Sequence, residues 1–182
     1  MKKFRTRLSV IFILLIGFSV LSSGIFMVKM VEESHLDALR ASMYREMRII
    51  AGGTEWPKGQ SFAEMTGLFT ARAEELKQQT EARVTFIDSE GRVLGDSDSS
   101  PATMENHGGR DELKQADREG VGYAVRRSET TGFDMLYAAM PIPLEAGVEP
   151  QGYVRLSMSL EQVHATTNRM WLLLISGLLA YF

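Results

Sequence analysis

Two short stretches carry the side chains best suited to chemistry. In NHGGRDE, residues 106–112, two glycines precede a short helix. Such a segment offers backbone N–H groups to an anion, and His107 and Arg110 would add charge. Asp111 and Glu112 sit in the first helical turn and compete with an incoming anion. The alternative is a plain turn whose glycines take positive φ. In VRRSE, residues 125–129, two consecutive arginines lie on a strand and point to opposite faces, so only one lines a pocket in the sheet. Arg126 is assigned that place, with Asp96 and Tyr137 on what read as neighbouring strands lining the same pocket. The alternative is a solvated sheet face. The chemistry on offer is recognition of a small ligand, an anion at the glycine loop above all. No nucleophile–base pair and no Gly-Lys-Ser phosphate loop is visible, so no catalytic residue is expected. The three histidines lack ligand spacing and there is no cysteine, so neither a metal site nor a cofactor is expected in these 182 residues.

The elements that must position these residues follow from hydrophobic periodicity. Leu36, Leu39, Met43, Met47 and Ile50 recur at helical spacing up to the glycine pair 52–53. They also resemble a short coiled-coil seam, which predicts a parallel homodimer. Ser61 and Glu64 form a capping box, opening a second amphipathic helix through Phe62, Met65, Phe69, Ala73 and Leu76 to about Thr80. The period then changes to two. RVTFID and RVLGDS read as strands around a turn with a left-handed Gly91. A polar segment follows, with a helix start at Ser100-Pro101 and a piece that buries Leu113 and Ala116 and stops at Gly120. GYAVRRSE, DMLYAAMPI and GYVRLSMSL are three more strands, the last read as half-buried with Tyr153, Arg155 and Ser157 on its outer side. Five strands joined mostly by hairpins, with helices gathered on one face, predict an α+β domain.

The ends of the chain point to a membrane. Leu8 to Val28 is 21 residues without a charge, about 32 Å as a helix and long enough to span a bilayer core. Lys2, Lys3, Arg5 and Arg7 precede it, so the N-terminus stays cytoplasmic. The alternative is a cleaved signal peptide, with the small residues of VLSSGIF at its end, although the apolar region is longer than usual for one. Met170 to Phe182 is also uncharged and reads as the start of a second crossing. The expected organisation is a cytoplasmic N-terminus (1–7), a first membrane helix (8–28), membrane-proximal and N-terminal helices (29–80), a sheet domain (81–159), an exit helix (160–169) and the start of the second membrane helix (170–182). Residues 29–169 are then extracytoplasmic. Without the four leading basic residues the chain carries 16 basic against 23 acidic side chains, which argues against a nucleic-acid partner.

Several stretches carry a family resemblance. ARVTFIDSEGRVLGDSD, PATMENHGGRDELKQA and GFDMLYAAMPI, with MKKFRTRL at the start, resemble the membrane-sensor region of phosphate-regulon sensor histidine kinases of Gram-positive type. The sequence departs from that pattern after ENH, where glycines intervene and Asp111 follows Arg110 in place of a proline. The resemblance implies a PAS-like extracytoplasmic domain of the Cache type. Beyond the second membrane helix it implies a kinase region that uses ATP and a cytoplasmic response regulator as partner, neither of which these residues contain. It implies that an extracytoplasmic signal, from an envelope ligand or a protein, passes through paired membrane helices to the phosphate-limitation response. The alternatives are the sensor region of a chemotaxis receptor or cyclase, and a membrane-anchored accessory binding protein.

Overall fold

The computed structural model describes residues 2–57, 59–128, 132–143 and 149–181. The chain divides into two compact units, Met1–Ala38 with Glu161–Phe182, and Leu39–Leu160. Helix α1 (Lys2–Gly53) contributes to both.

In the first unit α1 is accompanied by α4 (Glu161–Tyr181). Their approach is close at Gly24, where a Cβ would lie 1.8 Å from Leu174 Cδ1. Among the described residues, α1 is the one helix long and apolar enough to cross a membrane, and its apolar stretch exposes Leu8, Ile11, Phe12 and Leu15. The expected second crossing does not reach that measure among the described residues.

The second unit holds the sheet. Helix α2 (Phe62–Thr80) starts at the expected capping box, Ser61 accepting from the Glu64 N–H and the Glu64 carboxylate accepting from the Ser61 N–H. Strands β1 (Arg83–Asp88) and β2 (Val93–Asp96) are joined through Gly91 at φ 83°. A 3-10 turn (Pro101–Thr103) and helix α3 (Asp111–Glu119) follow. Gly120, at φ 78°, ends α3, and its N–H donates to the Ala116 carbonyl. Strands β3 (Gly122–Arg127), β4 (Asp134–Ile142) and β5 (Gly152–Ser159) complete an antiparallel sheet in the order β2-β1-β5-β4-β3.

Four expectations are corrected here. The helices are not gathered on one face. Phe86, Val154, Met140 and Gly95 share one face, and α2 lies so close to it that a Cβ on Gly95 would come within 2.2 Å of the Phe69 backbone. Thr85, Arg155, Ala139 and Gly122 share the other, where α3 covers the sheet and a Cβ on Gly122 would lie 1.9 Å from the Glu112 carbonyl oxygen. Strand β5 is therefore not half-buried. It is the central strand, and every residue from Gly152 to Leu156 is buried whichever face it points to. The expected coiled-coil seam is also reassigned in part. Met43, Met47 and Ile50 are buried in the core of their own unit. Phe62, read as inward-facing, is 48% exposed.

The face under α2 is apolar. Val84, Phe86, Leu136, Met140 and Leu156 are completely or almost completely buried on it, with the Phe69 ring tilted against Phe86 at 4.9 Å between ring centroids. The face under α3 is divided. One part is a small apolar cluster of Ile87, Leu113, Ala116, Ala139 and Tyr153. The other part is polar.

Candidate functional site

The polar part of the α3 face is built from residues on all five strands and on α3. In strand register, Asp96 of β2 lies beside Thr85 of β1, Thr85 beside Arg155 of β5, and Arg155 beside Ala139 of β4. One position along, Arg83 lies beside Ser157, Ser157 beside Tyr137, and Tyr137 beside Ala124. Arg126 of β3 is two residues on from Ala124 and so shares the face. Helix α3 closes it with Glu112, whose side chain is fully buried.

Charge organises this layer. Arg126 grips both oxygens of Glu112, with Nη1 donating to Oε2 at 2.8 Å and Nη2 to Oε1 at 3.1 Å. This two-pronged geometry is the strongest arrangement a guanidinium makes with a carboxylate. Arg155 Nη1 stands 3.7 Å from Glu112 Oε1. Its Nη2 donates to Thr85 Oγ1 at 3.2 Å, and Thr85 Oγ1 donates to Asp96 Oδ2 at 2.7 Å. Asp96 also accepts from Arg83 Nε and from the N–H groups of Asp98 and Ser99. The Arg126 and Arg155 guanidiniums lie 3.7 Å and 5.4 Å from the centroid of the Tyr137 ring. Arg155 Nε and Ser157 Oγ are buried without a hydrogen-bond partner among the described residues.

The protonation states follow. Burial works against the charge on Glu112, but the Arg126 hydrogen bonds and the charges of Arg126 and Arg155 outweigh it, holding the carboxyl below its usual range. Asp96 is held down in the same way, Arg83 and Thr85 overcoming its burial. Burial is the main cause that brings the Arg155 guanidinium down to about 10, so it stays charged at neutral pH. His107 is lowered to about 4, first by burial and then by the charge of Arg155, and is neutral at physiological pH.

The structure brings Arg126 and Tyr137 together, as expected. Asp96 shares their face, but β2 and β4 are not neighbours; β1 and β5 lie between them. His107 is buried beside the layer, with its N–H bonded to the Gly91 carbonyl and Nδ1 facing the Glu105 carbonyl at 2.7 Å. Arg110 precedes the first turn of α3, and its carbonyl accepts from the N–H groups of Leu113 and Lys114. The two glycines of the loop do not take positive φ. Gly108 instead donates its N–H to Asn106 Oδ1, so that donor is already used. The sequence reading missed Arg155 and Thr85 and saw Glu112 only as a competitor of anions. Arg155 alternates with apolar neighbours as an exposed residue would; the available signal was the apolar run of β4, which marks strands buried on both faces. Cavities of about 410 Å³, lined by Trp56, Ile142 and Gln151 among others, and of about 360 Å³, lined by Tyr44, Arg48 and Met140 among others, have no buried charged side chain among the described residues of their walls.

Residues 37–159 match the protein family described as Single Cache-like. No curated protein sequence matches the chain. Among solved structures, the sensor domain of the V. cholerae histidine kinase DctB is similar at a TM-score of 0.57 and 16% identity, over 77% of this chain and 55% of that one. The E. coli DcuS sensor domain is similar at 0.56 and 20% identity, over 76% and 98%. The ligand-binding domain of the Campylobacter jejuni chemoreceptor Tlp3, in complex with 4-methylisoleucine, is similar at 0.59 and 12% identity, over 80% and 61%. This chain thus spans little more than half of the DctB domain it resembles. At these identities the likeness is one of fold.

Proposed function

The chain belongs to the single Cache-like family, and from that premise we propose that it is the extracytoplasmic signal-input region of a membrane-bound receptor, most specifically a sensor histidine kinase of the phosphate-limitation response. One observation carries the reading: a buried, charged layer between the central strand and a covering helix, in a domain flanked by an apolar helix suited to a membrane. A layer of that kind is a poor source of stability and a suitable place for recognition. The domain senses a small molecule or an envelope partner, and its state passes along α1 and α4. The receptor works as a homodimer, with contacts outside the buried Met43, Met47 and Ile50. ATP and a response regulator belong to the kinase region. The similarity to DctB and DcuS supports a kinase output, and that to Tlp3 supports a chemotaxis output as the second reading.

Topology is tested with Gly109→Cys. The chain has no other cysteine, and a Cβ at this exposed position meets nothing within 4 Å. A membrane-impermeant thiol reagent is expected to label it in intact cells. Labelling only after lysis would remove the receptor topology. The output is tested by deleting the gene. Loss of induction of phosphate-starvation genes supports the kinase reading, and altered swimming bias with normal induction replaces it with the chemotaxis reading.

A further inference from the structure

Arg155 is far less satisfied than a buried guanidinium in a purely structural ion pair needs to be. It is 3% exposed, yet its Nε has no partner among the described residues and its Nη1 is 3.7 Å from the nearest Glu112 oxygen, beyond hydrogen-bond range. A buried donor left unpaired is costly, and a buried ion pair stabilises only when its remaining donors are met. Ser157 Oγ, buried on the same face and beside Tyr137 in register, is unpartnered as well. Two guanidiniums share one aromatic ring and one carboxylate. The carboxylate comes from α3, a nine-residue helix, and the sheet is held by its own strand pairing. Thr85 and Asp96 fix Arg155 from the opposite side, so the cationic part of the site is anchored in the sheet and only the anion is contributed by a separate element.

Resting on the sensor reading above, we propose that Arg126 and Arg155 form a binding site for the carboxylate group of a small molecule, and that Glu112 occupies this site from within the chain until such a molecule takes its place. The Arg126 fork already shows the carboxylate geometry. An incoming carboxylate with a second polar group engages the donors that Glu112 leaves unmet, Arg155 Nε and Ser157 Oγ. Replacement of Glu112 releases α3 from Arg126. Because α3 sits against β3 at Gly122 with no space for a side chain, its release alters the packing of that edge of the sheet.

The test uses the full chain in lipid nanodiscs, with thermal unfolding followed by tryptophan fluorescence and acetate as the probe. Glu112→Gln keeps the side-chain shape and removes the internal anion; Glu112→Ala removes both. Each variant is expected to unfold at a lower temperature than the parent chain. Acetate is expected to raise the midpoint saturably, with an apparent affinity at least about tenfold tighter than in the parent, whose own Glu112 acts as a tethered competitor at millimolar or higher effective concentration. Chloride at equal ionic strength is expected to have no such effect. Adding Arg155→Met to Glu112→Gln is expected to abolish the acetate response. Equal responses to chloride and acetate, a response no tighter than the parent's, a stronger response to phosphate than to acetate, or a Glu112→Gln chain that stays unfolded in acetate would each overturn the proposal. Failure here with Gly109→Cys labelled from outside removes the carboxylate site and leaves the receptor. Success here with that cysteine unlabelled does the reverse.

Discussion

The two faces of the sheet share strands, length and depth of burial, but they are made of opposite materials. The face that α2 covers carries Phe86, Val84, Leu136 and Leu156, all buried, with the Phe69 ring against Phe86. Under α3 the same strands present Thr85, Arg155 and Ser157, closed by Glu112. Burying apolar surface contributes about 25 cal/mol per Å². Burying charges incurs desolvation that their attraction roughly offsets. The first face therefore supplies stability, and the second uses some of it to hold charged groups out of water in a fixed arrangement.

The sharpest test of this contrast lies on the apolar side. Phe86→Ala is expected to cost about 3–5 kcal/mol, read as the shift of the unfolding midpoint in urea, because the truncated ring leaves a cavity between β1 and α2. A loss below about 1 kcal/mol would mean that this face is not the stabilising one. On the polar side, the joint replacement Glu112→Leu, Arg126→Met and Arg155→Met removes the Glu112 carboxylate together with both guanidiniums that face it, and leaves the Arg83–Asp96 pair in place. It is expected to unfold within about 1 kcal/mol of the parent chain, as apolar replacement of whole buried ion clusters often does, while its acetate response disappears. A loss matching that of Phe86→Ala would show that the charged layer stabilises the fold. The smallest effect concerns pH. His107 is kept neutral in the folded chain and accepts a proton near 6.5 when unfolded. The stability it contributes is fully present above about 6.5 and is lost as pH falls toward about 4. Replacing it, as His107→Gln, is expected to flatten the stability profile across that interval, and an unchanged slope would assign the pH dependence to other groups.

The elements were legible from local pattern and the site was only partly so. The capping box at Ser61, the glycines at 91 and 120, and the five apolar or alternating runs marked helix and strand boundaries almost to the residue. These signals are short-range. Strand order is not, because nothing within GYVRLSMSL says that it enters the sheet between β1 and β4. Without that order, Arg155 reads as solvent-facing and Asp96 as adjacent to Tyr137. That Arg126 and Arg127 point to opposite faces is legible because side chains alternate along a strand, and Arg126 lies on the face of Tyr137. Glu112 was noticed at its helix start, but its partner lies 14 residues further along the chain. Met43 and Met47 fit two readings from their spacing, packing in the chain's own core and part of a dimer seam, because a heptad-like pattern describes any apolar helix face; their burial matches the first.

Strand β5 is paired on both sides from Gly152 to Ser157, whereas β2 and β3 each have one neighbour. Its amide hydrogens therefore exchange with solvent only when the whole sheet opens, while those of the outer strands exchange through local fraying. The amides of Tyr153 to Ser157 act as a slow clock for the unit, and those of Gly122 to Arg127 as a fast one. Since Arg155 belongs to the slow strand and Arg126 to the fast one, a molecule held by both would lengthen the two time scales by different factors, and that ratio would show which guanidinium carries more of the grip.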